Sequence, residues 1–403
     1  MVYVIINILL YASLLFFYKK KSRDFDIYQI IVMLYLFTAV MCSLNYAENA
    51  NKWPDLGLIP FIYMFVVLVI LFRPVQHFNL ERKGTPWEDT NSLYALGFVY
   101  IVLAILDTYF SMNDTLVRFS EGEWGMLRNQ LYSDADEIVL YENQWQRLIK
   151  NLLTYLRPFA VVYAFFRATL RDKRFYTVML ILSIIVPSFI GATVVASRGM
   201  VFSLAMELIL VFWLFRHRIP KSLKRIMFYG GVIIGVLFVV YSILVTVSRF
   251  GEDEASNSVF EYFGHSMLYF NDGIFNNLHD FAYGKRFFSW FIDLFGGNSD
   301  FNMAKAGATH GTAFYTIVGS MYLDWGFIGT LVEAALACVL MIQFTQKRTI
   351  MLSDMVIIVF YINTLAKGIF AFGRGRALDW IMTFVVYFIV KALEKQQRKA
   401  ITE

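Results

Sequence analysis

Long, uninterrupted apolar blocks recur along the whole chain and constrain its fold more than any other feature of the sequence. Each block is about 17 to 22 residues long, close to the ~20 residues that a helix needs to cross the hydrocarbon core of a bilayer. Only helices and closed barrels satisfy their backbone hydrogen bonds in lipid, and blocks of this length are typical of helices. With 58% hydrophobic and 17% charged residues, the sequence predicts an all-α, polytopic integral membrane protein.

The apolar blocks predict about 11 transmembrane helices in a single integral membrane domain over residues 1–403. The predicted helices cover about 2–18, 27–46, 57–73, 93–112, 151–168, 175–197, 199–216, 227–247, 325–344, 352–372 and 378–393. The basic clusters then all fall on one side of the membrane: KKKSR, RPVQHFNLERK, RATLRDKR, RHRIPKSLKR, QKR and KALEKQQRK. By the positive-inside rule this side is the cytoplasm, so we expect the N-terminus outside and the C-terminus inside.

Two predicted loops on the outer side, at about 113–150 and 249–311, are too long to be simple connections. The second loop is rich in aromatic residues, which predicts short helices on or in the outer membrane interface. The apolar stretch that follows, 312–344, would be about 50 Å long as one straight helix, which exceeds a perpendicular span. We therefore expect a break near Asp324, Trp325 and Gly326, with 312–323 as an interfacial or re-entrant helix.

Single cations are placed on the predicted outer side, where basic residues are not needed to set the topology. They are Arg198, Arg249, Lys285, Arg286, Arg374 and Arg376, and His265, His279 and His310 lie on the same side. Arginine carries a permanent charge and matches phosphate oxygens in a bidentate manner. A helix that begins at Gly199 adds a positive dipole end beside Arg198. This distribution predicts a diphosphate site at the outer interface; the alternative is that Arg198 only snorkels at the membrane boundary.

Three ionisable residues lie deeper within the predicted helices, at similar depths: Glu207, Glu333 and Lys367. Charges inside a membrane are costly unless they are paired, so we predict that Lys367 neutralises at least one of the two glutamates. Such a pair has two interpretations, a structural ion pair or part of a proton path.

The second half of the chain resembles a known family. The segment ASRGMVFSLAMELILVFW (196–213) is followed by the long outer loop and then by THGTAFYTIVGSMYLDWGFIGTLVEAALA (309–337). This order of parts resembles the Wzy family of bacterial oligosaccharide repeat-unit polymerases, and it is similar to the O-antigen ligases that share its membrane fold. The resemblance covers roughly residues 175–345, whereas the first 170 residues match only in hydropathy.

The resemblance implies a glycosyltransferase of GT-C-type architecture at the outer, periplasmic face of the bacterial cytoplasmic (inner) membrane. The donor would be a growing glycan on undecaprenyl diphosphate, and the acceptor a single repeat unit on the same lipid carrier. The product would be O-antigen or a related surface polysaccharide. The implied partners are this lipid-linked oligosaccharide, membrane lipid and a chain-length regulator protein. No cofactor, metal or nucleotide sugar is implied.

The resemblance also suggests roles for individual residues. Arg198 matches the arginine position of the family and would bind the diphosphate, and His310 matches its histidine and would act as the catalytic base. Arg249, Arg286, Arg374 and Arg376 are substrate-binding candidates by their predicted side and charge. His265 and His279 are alternative bases, and His310 could instead be an interfacial histidine without a chemical role.

Other function classes have less support from the sequence. No Walker, dinucleotide-binding or nucleophile-elbow motif occurs, and no His or Cys residues have zinc-site spacing. The basic clusters have a topological explanation and do not indicate a nucleic acid partner. The open alternatives are an O-antigen ligase of the same fold and a transporter or flippase for lipid-linked sugars. A transporter predicts paired broken helices and pseudo-symmetric halves, neither of which is clear in the sequence.

Overall fold

The computed structural model describes residues 1–21, 25–76, 78–121, 144–170, 174–194, 197–250, 257–309, 314–370 and 376–402. Over these ranges the chain is helical, and the only bridge between extended residues is an isolated one that joins Gly84 and Thr349. The all-α class predicted from the sequence is therefore confirmed for the residues that the structure describes.

The helices are numbered here in chain order. They are α1 (Val2–Lys21), α2 (Ile27–Glu48), α3 (Leu58–Phe72), α4 (Asn91–Glu121), α5 (Gln144–Thr169), α6 (Arg174–Val194), α7 (Arg198–Phe215), α8 (Lys221–Phe250), α9 (Asn257–Leu268), α10 (Ser289–Leu294), α11 (Thr316–Thr345), α12 (Leu352–Lys367) and α13 (Arg376–Thr402). A π-helix, Tyr269–Phe275, directly follows α9.

Each predicted transmembrane segment overlaps one of these helices, namely α1–α8 and α11–α13, although the segment predicted at 352–372 is helical only as far as Lys367. Within the part of the chain that the structure describes, four helices are long and apolar enough to cross a membrane: Ile27–Glu48, Asn91–Met112, Phe175–Val194 and Thr316–Thr345. Three shorter apolar helices are Val2–Tyr18, Leu58–Phe72 and Gly199–Phe215. This is the pattern of a helical membrane protein with several spans, whereas the total of about 11 spans stays a prediction.

The ends of the predicted loop 113–150 are helical, contrary to the sequence prediction. α4 continues to Glu121, and α5 already begins at Gln144. The prediction stopped each helix at its last apolar residue, but backbone hydrogen bonding continues through polar residues once the helix has left the apolar region. In the second predicted loop, 249–311, the expected short helices are present as α9, the π-helix and α10.

α11 is broken where the sequence predicted. Gly326 has φ 65° and ψ −165°, which is not helical, so the helix bends between Asp324 and the longer apolar half. In that half Thr330, Ala334 and Cys338 follow one buried face. The opposite face exposes a stripe of large apolar side chains, among them Ile328, Val332, Leu336 and Val339, which are 74%, 52%, 66% and 59% exposed. A helix with apolar residues on its exposed face is typical of contact with lipid.

The described chain divides into two compact units, and the predicted single domain stays a prediction. The first unit contains residues 1–79, 257–348 and 361–381, and the second contains 80–256, 349–360 and 382–403. In the second unit α4 packs with α5 and α6, α5 packs with α6 and α7, and α7 packs with α8.

In the first unit α2 packs with α1 and α9, and α3 packs with α1 and α11. Gly264 allows the close approach of α9 to α2, because a Cβ atom at this position would lie 2.4 Å from the carbonyl oxygen of Met41.

The π-helix binds the loop between α2 and α3 through two side chains. The backbone N–H of Gly57 donates to Asn271 Oδ1 (2.8 Å), and that of Asp55 donates to Asp272 Oδ1 (2.7 Å).

Candidate functional site

A cluster of charged side chains surrounds Asp324, in the first unit of the structure. Asp324 lies two residues before the break at Gly326, at the end of the first half of α11. Its Oδ2 atom is 2.7 Å from Nη2 of Arg376, and both side chains are only 2% exposed. Arg376 is the first residue of α13, so this ion pair connects the broken helix to the start of another helix.

The second oxygen of Asp324 binds the long loop between the π-helix and α11. Its Oδ1 atom accepts the backbone N–H groups of Arg286 (3.1 Å) and Phe287 (3.3 Å). The same loop binds α13 directly, because the N–H of Ala377 donates to the carbonyl oxygen of Phe287 (3.1 Å). One buried carboxylate thus holds three chain segments together.

The side chain of Arg286 is buried beside this carboxylate, with 7% of the residue exposed. Its guanidinium group donates to the hydroxyl of Tyr315 and lies 5.1 Å from the centroid of the same ring. Nη1 is 3.5 Å from the sulfur of Met303. The guanidinium of Arg376 lies 5.2 Å from the ring centroid of Phe287. Both cations are therefore orientated by aromatic rings as well as by hydrogen bonds.

A second carboxylate completes the cluster. Oε1 of Glu333, in the longer half of α11, lies 3.7 Å from Nη2 of Arg376, and the Glu333 side chain is 22% exposed. Glu333 is the most exposed of the four charged groups. The cluster contains two arginines and two carboxylates, so its formal charges balance. Both carboxylates lie against the guanidinium of Arg376, whereas the guanidinium of Arg286 contacts Tyr315 and Met303.

The second unit contains its own buried ion pairs. Nε of Arg157 donates to Glu207 Oε2 (2.7 Å), and Nη1 of Arg157 donates to Ser188 Oγ (3.1 Å). Nζ of Lys150 lies 2.9 Å from Asp107 Oδ2. The two carboxylates are each 3% exposed, whereas the side chains of Lys150 and Arg157 are 19% and 23% exposed.

The prediction that Lys367 neutralises Glu207 or Glu333 was wrong in the identity of the cation. The paired cation of Glu207 is Arg157, and that of Glu333 is Arg376. Lys367 acts electrostatically on the carboxylate of Asp379. Residue spacing along a helix indicates the depth of a side chain but not which neighbouring helix it faces, so groups at equal depth need not meet.

The structure brings two of the predicted site residues together, Arg286 and Arg376. The backbone of Arg198 begins α7, as expected for a residue at a helix N-terminus, and Arg249 lies in the last turn of α8. The side chains of Arg198 and Arg249 are outside the described part of the chain, as are His310 and Arg374 entirely.

The alternative bases lie within the described residues. The ring of His265 packs edge-on against Trp53, with centroids 4.9 Å apart. The backbone N–H of His279 donates to the carbonyl oxygen of Ala306 (3.0 Å). Where the structure describes the chain, no group of three or more His, Cys, Asp or Glu residues is arranged to hold a metal ion.

No protein-family model, curated protein or solved structure compared with this chain matches it. Three residues of the cluster are not among the site residues predicted from the sequence, namely Asp324, Tyr315 and Glu333, of which Glu333 is predicted only as a deep ionisable residue. Asp324 was noted only as part of the predicted helix break, although an acidic residue inside an apolar block is itself a signal of a buried functional or paired group.

Proposed function

We propose that this protein is a metal-independent glycosyltransferase that polymerises undecaprenyl-diphosphate-linked oligosaccharide repeat units at the outer face of the bacterial cytoplasmic membrane. The observation that supports this most is the buried cluster of Arg286, Arg376 and Asp324 beside the break in α11, inside an apolar helical protein. The proposal includes about 11 membrane spans and a GT-C-type architecture, and it rests on the resemblance to the Wzy family for the identity of the substrates.

The proposed reaction forms one glycosidic bond and breaks the bond between the anomeric carbon of the donor and its diphosphate oxygen. A hydroxyl oxygen of the acceptor repeat unit attacks the anomeric carbon of the growing glycan, and the bond between this carbon and the diphosphate oxygen breaks. The hydroxyl proton goes to a base, for which we propose His310. Undecaprenyl diphosphate leaves with the bonding electrons, so negative charge develops on its leaving oxygen.

Fixed cations accelerate such a reaction because they bind the leaving diphosphate more strongly in the transition state than in the ground state. Arg286 and Arg376 are suited to this task because their guanidinium groups are already orientated, by Tyr315 and by Asp324. Arg198, Arg249 and Arg374 are proposed as further ligands of lipid-linked diphosphate on the basis of the sequence alone.

An O-antigen ligase is the first alternative, because it uses the same donor and leaving group and differs only in its acceptor, a lipid A core. A transporter or flippase is a second candidate, and one observation favours it. α5 and α6 contain Pro158 and Pro187 next to Arg157 and Ser188, which bond to each other. The helices are continuous, but proline beside ionisable groups within apolar helices is a feature that transporter sites share.

Purified protein incubated with the lipid-linked repeat unit tests the proposal directly. A polymerase yields a ladder of longer lipid-linked glycans from this substrate alone. A ligase yields product only after a lipid A core is added, and a transporter moves the substrate across a vesicle membrane without forming a glycosidic bond. The absence of any longer product, with intact protein and substrate, would contradict the polymerase.

The deletion strain of the producing bacterium provides an independent test. Loss of a polymerase should leave surface lipopolysaccharide or capsule with a single repeat unit, and loss of a ligase should leave none. Arg198→Ala and His310→Ala should each reproduce the deletion while the protein remains in the membrane. Normal chain length in either variant would remove that residue from the proposed mechanism.

A further inference from the structure

The loop between the π-helix and α11 exposes an unusual number of large apolar side chains. Within the surface segment 283–295, the exposed fractions are 72% for Tyr283, 42% for Phe288, 44% for Trp290, 60% for Leu294 and 83% for Phe295. Proteins in water rarely expose this much contiguous apolar surface, so the segment indicates contact with something other than water.

The segment is not a loosely attached loop. Its Arg286 is buried, and the backbone N–H groups of Arg286 and Phe287 donate to Asp324. Gly284 lies directly against the indole ring of Trp325, and the N–H of Ala282, just before the segment, donates to the carbonyl oxygen of Leu323 (2.8 Å). The inward side of the segment is thus fixed to α11, and the apolar side chains point away from it.

The exposed surface is continuous with the apolar stripe of α11. Trp325, which contacts the segment, is followed by Phe327 and Ile328, which are 47% and 74% exposed and begin that stripe. α11 is also one of the helices long and apolar enough to cross a membrane. Whatever covers the stripe at this end of α11 therefore also reaches the surface segment.

The composition of the segment identifies lipid as the occupant. Tyrosine and tryptophan are enriched at the boundary between hydrocarbon and water, where one end of each ring is wet and the other is apolar. Lys285 is exposed between the aromatic side chains, where it can meet lipid phosphate. The carboxylate of Asp293 is occupied by the N–H and hydroxyl groups of Ser299, at 3.1 and 2.8 Å.

We propose that segment 283–295 is a membrane-interface anchor, whose exposed aromatic and aliphatic side chains insert among the headgroups and upper acyl chains of the bilayer at the Gly326 end of α11. The anchor would hold Arg286 at a constant depth relative to lipid headgroups. The proposal depends on exposure, continuity and composition, and it stands whether or not the protein transfers sugars.

Site-directed spin labelling of the full chain in lipid nanodiscs tests the anchor. The buried residues Cys42 and Cys338 are first replaced by alanine, and a nitroxide is attached through Trp290→Cys, Leu294→Cys or Phe295→Cys. The accessibility of each label to oxygen, which concentrates in lipid, is compared with its accessibility to a water-soluble nickel chelate. Leu336→Cys on the α11 stripe is the lipid reference, and Lys305→Cys, at an exposed position of a turn, is the water reference.

We expect the oxygen-to-nickel accessibility ratio at all three positions to approach that of the label at 336 and to exceed that at 305. A ratio equal to that at 305 would place the segment in water and overturn the proposal. Labels shielded from both reagents would mean that protein covers the segment, which also overturns it; discs that hold a single copy exclude a second copy as the cover. Gel filtration of each labelled protein checks that it is folded. Phe295 is the most exposed of the five apolar side chains of the segment, so we expect substitution there to perturb folding least.

Discussion

Arg376 and Asp324 form an ion pair in which Nη2 and Oδ2 are 2.7 Å apart, and each side chain is only 2% exposed. A buried charge without a partner costs several kcal/mol, so neither side chain could occupy this position alone. The other oxygen of Asp324 keeps two backbone N–H donors, from Arg286 and Phe287. These donors would still stabilise the negative charge of Asp324 if Arg376 turned towards an anionic ligand. The pair is therefore suited to a site in which Arg376 exchanges one anionic partner for another.

Replacing Asp324 with alanine should destabilise the protein strongly. The change removes the carboxylate that lies 2.7 Å from the buried guanidinium of Arg376 and the acceptor for two loop N–H groups, so we expect a loss of about 3–5 kcal/mol. Thermal unfolding in detergent, followed by size-exclusion chromatography, measures the effect. Glu261→Ala is the matched control, because Glu261 Oε1 lies 3.9 Å from Lys52 Nζ and both side chains are exposed to solvent. Exposed ion pairs of this kind contribute only about 0–1 kcal/mol to stability. Equal stability of the two variants would contradict a structural role for Asp324.

Arg286 and Lys285 are adjacent cations with opposite environments, which allows a sharp test of the proposed site. Arg286→Ala should lower the polymerisation rate by about 10²-fold, the usual effect of removing one donor that stabilises a developing oxyanion. Arg286→Lys should retain part of the rate, because lysine keeps the charge but not the planar group that contacts Tyr315. Lys285→Ala removes one exposed charge and leaves the aromatic side chains of the segment in place, so it should lower the rate much less than Arg286→Ala. If both alanine variants had the rate of the wild-type protein, Arg286 would not bind the leaving group.

The buried pair of Arg157 and Glu207 should show energetic coupling in the second unit. Arg157→Ala leaves the buried carboxylate of Glu207 without this cation, and Glu207→Ala leaves the partly exposed Arg157 without this carboxylate, whereas the double substitution removes both groups, so the effects should not add. We expect a coupling energy of about 0.5–3 kcal/mol from thermal unfolding of the two single variants and the double variant. Arg147→Ala, an exposed cation on the same helix, controls for the loss of charge and should change stability little. Additive effects of Arg157→Ala and Glu207→Ala would mean that the two side chains are not paired in the folded protein.

The sequence predicted the helices well because their apolar blocks are long and separated by basic or polar segments. It also predicted the break in α11, since a stretch from 312 to 344 is too long for one perpendicular span and Asp324 and Gly326 interrupt it. The polar ends of α4 and α5 were missed, because residues beyond the hydrocarbon core carry no hydropathy signal although they continue the helix.

The contacts of the candidate site could be predicted only in part. The sequence selected Arg286 and Arg376 as outer cations, yet nothing in their spacing indicated that Asp324 would bind both the backbone of one and the side chain of the other. These contacts join segments that are 38 and 52 residues apart along the chain, and they depend on how the loop folds back onto α11. The wrong assignment of Lys367 has the same origin, because depth along a helix does not specify the direction of a side chain.

The break in α11 depends on the backbone of Gly326, and substitution there should show this. With φ 65° and ψ −165°, Gly326 occupies a region that is essentially restricted to glycine, and an alanine Cβ would lie 2.9 Å from the ring of Phe281. Gly326→Ala should therefore cost about 1–3 kcal/mol of stability and displace Asp324 from its partners. Gly230→Ala is the matched control: the glycine lies inside α8 with nothing within 4 Å of an added Cβ, so alanine should raise stability by about 0.5–1 kcal/mol. Thermal unfolding of both variants measures these opposite effects, and a Gly326→Ala protein as stable as Gly230→Ala would mean that α11 continues unbroken through this position.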